Sequence, residues 1–187
     1  MRSRLAALLA AGLTLTACGG GGGNSGGGGG GWFGWLTGPS APASCPTVSK
    51  VGEATKLVRF APGSNQDLNN VQFEAGILDV GGGCTNVDNG VKVDMTADIA
   101  AARGPADTTG KASFAYFVAI VDDNQNIIAR EEYPLEIAFP GNQTRNGQRE
   151  QLEETIPMAK GQQAAAFHIY IGFVLTQDEV AYNRAHP

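Results

Sequence analysis

The sequence predicts an all-β fold: a single antiparallel β-sandwich of about seven strands with Greek-key connections and a short C-terminal helix. Three observations predict it. From residue 47 onward, apolar side chains recur at period two. Clusters of Gly, Asn, Asp and Pro interrupt them at short intervals. No long helical period competes until the last dozen residues. The chain divides into a leader (1–17), a tether (18–44) and the sandwich domain (45–187).

The leader begins with Arg2 and Arg4 and continues as an apolar run, Leu5 to Leu15. Eleven residues suit the hydrophobic part of an export signal and fall short of the ~20 needed to span a bilayer. The run closes in Leu15-Thr16-Ala17-Cys18, which resembles a bacterial lipobox. That resemblance implies diacylglycerol on the sulfur of Cys18, cleavage before it and acylation of the new amino terminus. Each buried CH₂ contributes ~0.8 kcal/mol, so two or three chains anchor firmly where one binds only marginally. Gly19 is not acidic, which in two-membrane bacteria favours the outer membrane. The expected location is the cell envelope, on the periplasmic face of that membrane.

The tether opens with eleven glycines, Asn24 and Ser25 over residues 19–31. Without side chains to bury, this tract reads as flexible, with a root-mean-square reach over 19–44 of about 25–30 Å. Trp32-Phe33-Gly34-Trp35-Leu36 follows and holds both tryptophans of the protein. Three readings of Trp32, Phe33, Trp35 and Leu36 stand side by side: folding back onto the sandwich, resting among lipid headgroups, or docking a partner. Pro39, Pro42 and Pro46 stiffen the chain beyond.

The strands come in sequence. A weaker run covers Lys56 to Ala61. Val71, Phe73, Ala75 and Ile77 alternate with polar neighbours, as do Val91, Val93, Met95, Ala97 and Ile99. Phe114 to Val121 is apolar on both faces, which marks a central strand. Tyr133, Leu135, Ile137 and Phe139 alternate again. Residues 148–156 are polar and read as an edge strand or exposed arm. Phe167, Ile169, Ile171, Phe173 and Leu175 form the clearest core face. Turns are expected at Gly81–Gly83, Asp88–Gly90, Asp107–Gly110, Asp122–Asn126 and Pro140–Asn142. Gln177 to Arg184 reads as a helix starting near Thr176 or Asp178.

With Cys18 assigned to lipid, Cys45 and Cys84 are the remaining pair, and an exported chain meets an oxidising compartment. A disulfide between them is expected, against the alternative of two free thiols. Lipobox, glycine tether, strand pattern and the Tyr182-Asn183-Arg184 ending together resemble small bacterial lipoproteins with an immunoglobulin-like or fibronectin-type-III-like domain. The sequence departs from immunoglobulins in having no Trp between the two cysteines.

Without Arg2 and Arg4 the chain holds 11 basic and 18 acidic side chains, a formal charge of −7. That balance argues against nucleic acid as a partner and against electrostatic adhesion to anionic lipid. Catalytic and metal motifs are weak. His168 sits beside Tyr170 on the polar face of the last strand, with no G-x-S-x-G elbow in the chain. Asp122-Asp123-Asn124-Gln125-Asn126 has calcium-loop spacing only in its first half and reads as a hairpin turn. Gly81–Gly83 lacks the Lys of a phosphate loop. Arg130, Glu131 and Glu132 read as a solvated strand face. No enzymatic activity, cofactor or metal is expected. The expected function is an interaction or assembly module, held at the membrane by lipid and partnered by another envelope protein. Binding of a small envelope ligand, a glycan or peptide, stands second, and a hydrolase third.

Overall fold

The computed structural model describes residues 45–187. The leader, Cys18, the glycine tract and the segment Trp32, Phe33, Trp35 and Leu36 lie outside the described residues. Eight strands form two four-stranded sheets. One sheet joins β1 (Thr47–Lys50), β8 (His168–Phe173), β5 (Lys111–Val121) and β6 (Ile127–Ala138) in that order. The other joins β2 (Lys56–Phe60), β3 (Val71–Val87), β4 (Gly90–Arg103) and β7 (Arg145–Pro157). Strand β8 pairs with β5 rather than with its predecessor β7. This return past two strands is the Greek-key step.

The core follows from the alternation. Val71, Phe73, Ala75 and Ile77 of β3 and Val91, Val93, Met95, Ala97 and Ile99 of β4 are all buried. All of these except Val71 meet Phe114, Tyr116, Val118 and Ile120 of β5 and Ile169, Ile171 and Phe173 of β8 in one cluster. Within it Phe114 lies edge-on to Phe173 at 5.2 Å and tilted against Phe73 at 6.1 Å. As expected from its two apolar faces, β5 is central, flanked by β6 and β8. Polar β7 is an edge strand, paired among the described residues only with β4.

Two expectations need correction. There are eight strands rather than seven, and one sheet is mixed: β1 runs parallel to β8, Thr47 opposite His168 and Lys50 opposite Ile171. Four residues are too few to display a period, so this strand was not readable in advance. The glycines at 81–83 are not a turn. They lie inside β3, paired with Thr96, Met95 and Asp94. The reason is space. A Cβ on Gly82 would stand 3.0 Å from the Asp94 carbonyl oxygen and 3.0 Å from the Val48 side chain, so a bare backbone lets β1 close over β3.

The other turns form where Asp and Asn predict them. Asp88-Asn89 is the two-residue tip between β3 and β4. Asp107 accepts hydrogen bonds from the Thr109 and Gly110 amides. Helix α1 (Gln177–Ala185) starts at Thr176 with a capping box: Glu179 N–H donates to Thr176 Oγ1 and Thr176 N–H donates to Glu179 Oε2. The helix packs on β2 and on the 3-10 turn Gly52–Thr55. Asn183, buried, donates to the carbonyls of Glu53 and Lys56, both at 2.8 Å, and Tyr182 meets Phe60 edge-on.

Candidate functional site

The Cys45–Cys84 disulfide is formed, with the two Cα atoms 5.6 Å apart. It fastens the residue just ahead of β1 to the distal half of β3. At the far end of β1, Lys50 Nζ donates to the Leu78 carbonyl at 2.8 Å, where β3 carries a bulge. Bond, lysine and the Val48–Gly82 contact together close one side of the sandwich.

The opposite side, where β6 and β7 form the rims, is built differently. The inward row of β7 is Gln148, Glu150, Leu152, Glu154 and Ile156, and only Ile156 is buried. The Tyr116 hydroxyl donates to Glu150 at 3.1 Å. The Tyr133 hydroxyl lies 3.0 Å from Glu154 and 2.9 Å from Glu131, and its single proton is shared between the two carboxylates. The two rings stack at 5.4 Å. Burial, then the charge and hydrogen bond of Glu150, push the Tyr116 phenol well above its ordinary range. Burial and the two glutamates do the same for Tyr133. Such phenols stay protonated and act as donors, not as bases. The arrangement is a polar seam that seals the sandwich rim. Sequence reasoning missed it. Its one signal was Glu150 and Glu154, four residues apart on one face of β7, which needed a facing donor.

The outward face of the β1–β8–β5–β6 sheet carries the other notable group. His168 and Tyr170 are half-buried neighbours, ring centroids 6.4 Å apart. Across the sheet, the Arg130 guanidinium lies 4.6 Å from the Phe117 ring centroid and pairs with Glu132. Phe117 leans over Gly172, where a Cβ would stand 3.0 Å from its ring. The residues opposite His168 are Thr47 and Val121. Arg130 and Glu132 are on the solvated face expected for them, whereas Glu131 turns to Tyr133.

Asp122 is committed to its turn. Its carboxylate accepts from the Asn126 side chain at 3.0 Å and from the amides of Asn126 and Asn124 at 2.8 and 2.9 Å. The Asn126 side-chain amide, followed by these backbone amides, holds its carboxyl below the usual carboxylate range. A depression of about 620 Å³ lies between the β3–β4 tip and the segment after β7, lined by Asn86, Asp88, Lys160, Gln162 and Gln163 among others. Among the described residues no three His, Cys, Asp or Glu side chains converge as a metal site, and no helix is long and apolar enough to cross a membrane.

No family model matches the chain, nor does any curated protein or solved structure.

Proposed function

We propose that the chain is a lipid-anchored, non-enzymatic module of the bacterial cell envelope that assembles with another envelope protein. The observation that carries this reading is the apolar run closing in Leu15-Thr16-Ala17-Cys18 and followed by a glycine tract. It assigns Cys18 to acylation, residues 19–44 to a spacer and the sandwich to the contact itself. The outer membrane's periplasmic face is the proposed location and small bacterial lipoproteins the proposed kin. The sandwich supports a binding role over catalysis in one respect: its shifted carboxylates and phenols are tied into turns, ion pairs and the rim seam. Metabolic labelling with a fatty-acid analogue tests the anchor. Wild-type chain takes up label and fractionates with membranes; Cys18→Ser does neither. Label persisting on Cys18→Ser would defeat the reading.

A second reading has its own observation. Phe117 and Tyr170 are partly exposed on a sheet face, as the binding of a glycan or peptide requires. A thermal-shift panel of envelope glycans and peptides separates the two: stabilisation lost in Tyr170→Ala favours the ligand, and no shift favours the protein partner.

A further inference from the structure

A sheet edge is a row of unpaired backbone groups, and folded chains normally blunt it. Three of the four edges here are blunted. Strand β1 has four residues and is fastened to β3 by the disulfide, Lys50 and Val48. Strand β2 is covered by α1, whose Asn183 takes up the Lys56 carbonyl. Strand β6 is cut by Pro134. Strand β7 is thirteen residues long, free of proline until Pro157, and exposed along its outward row.

The charges on β7 are self-complementary. Its outward row reads Gly147, Arg149, Gln151, Glu153, Thr155. Antiparallel pairing with a second β7 about Gln151 sets each Arg149 opposite the other copy's Glu153. Gly147 then meets Thr155. On the inward row, Gln148 meets Glu154 and Glu150 meets Leu152, so no like charges stand directly opposed. Neighbouring registers lose this. Centring on Arg149, Glu150 or Glu153 opposes that residue to itself, and centring on Leu152 opposes Glu150 to Glu154. Like charges directly across a ladder are destabilising, and opposite charges contribute. The intramolecular partners extend the pattern: Arg149 is held by Asp98 through two bonds of 2.6 Å, and Glu153 by Lys92. Across the seam the ladder row reads Asp98, Arg149, Glu153 and Asp94, with Lys92 set diagonally to bridge the two acids Glu153 and Asp94. The inner carboxylates Glu150 and Glu154 are drawn back toward Tyr116 and Tyr133 of their own sandwich.

We propose that β7 is a self-association edge, joining two copies of the chain in antiparallel register centred on Gln151 so that their two sheets become one of eight strands. This deepens the assembly reading by naming a second copy as a partner. It rests on that reading for its setting alone, since loss of the anchor leaves the strand edge intact and loss of pairing leaves acylation intact.

The test uses the full-length chain in mild detergent carrying Gln151→Cys, which places a thiol beside its symmetry mate. Mild oxidation should give a reductant-sensitive dimer absent from the chain without that thiol. Adding Arg149→Glu makes positions 149 and 153 both acidic, and adding Glu153→Arg makes both basic. Each of these alone should lower cross-linking by about tenfold or more. Mixed together they should recover it, with one chain of each kind in the dimer, which shows that both variants are folded. No cross-link in the Gln151→Cys chain, indifference to the charge reversals, or failure of mixing to restore the dimer would each overturn the proposal.

Discussion

Removing the disulfide should cost the domain several kcal/mol of stability. The bond closes a segment of 39 residues between Cys45 and Cys84. On the chain-entropy account, opening a loop of that length costs about 4 kcal/mol through the freedom regained by the unfolded chain. The native side adds to this. Strand β1 contributes four ladder positions against β8, and Val48 packs on the bare backbone of Gly82. Without the bond, β1 has few other reasons to stay on the edge. For a domain of this size, about 4 kcal/mol corresponds to a fall in Tm of roughly 10–15 °C. The assay is thermal unfolding of the full-length chain followed by circular dichroism, comparing wild type, Cys84→Ser and wild type under reductant. Reduced wild type and Cys84→Ser should melt together, well below the oxidised protein. A drop under about 2 °C would show that the loop is already constrained in the unfolded chain or that β1 is held without the bond, and the reasoning would fail.

Two further outcomes follow from the packing. The raised phenols of Tyr116 and Tyr133 are protonated donors in the folded state, so their contribution is fully present below the ordinary phenol value near 10 and is lost as pH rises through the higher folded value. Denaturant midpoints should therefore fall in alkaline solution above about pH 10, and less steeply in a Tyr116→Phe/Tyr133→Phe variant; an unchanged slope would remove the two rim hydroxyls as the cause. Gly90→Ala should be destabilising by about 2 kcal/mol or more, because its Cβ would stand 2.1 Å from the Ile156 carbonyl oxygen where β4 meets β7; urea unfolding at wild-type stability would show that the edge strand shifts freely to admit it.

The sequence by itself determined which side of each strand faces the core. Alternation is a local property: Phe73 and Ile77, or Ile169 and Phe173, lie inward because a strand turns every second side chain to one face. It also marked β5 as central, from apolar residues such as Phe117 and Ala119 set between its inward ones, although Phe117 stays partly exposed on the outward face. The helix start near Thr176 and the Asp-based turns were legible for the same reason, their groups being satisfied by residues two to four positions away; the choice of Thr176 over Asp178 came with the Glu179 capping box. The cysteine pairing followed from the expected assignment of Cys18 to lipid, which leaves one pair among three cysteines.

What the tertiary structure decided were matters of partnership between distant segments. Nothing within Thr47–Lys50 announces that it will run parallel to a strand more than a hundred residues later. Gly81–Gly83 has the composition of a turn and became strand because Val48 needs the space above Gly82. Glu150 and Glu154 read as solvated until Tyr116 and Tyr133 arrived beneath them from the opposite sheet. Likewise, a polar strand such as β7 is written locally, but its being left open is not. That depends on a proline in β6, a helix over β2 and a disulfide beside β1, three blocks that only folding brings to the other edges.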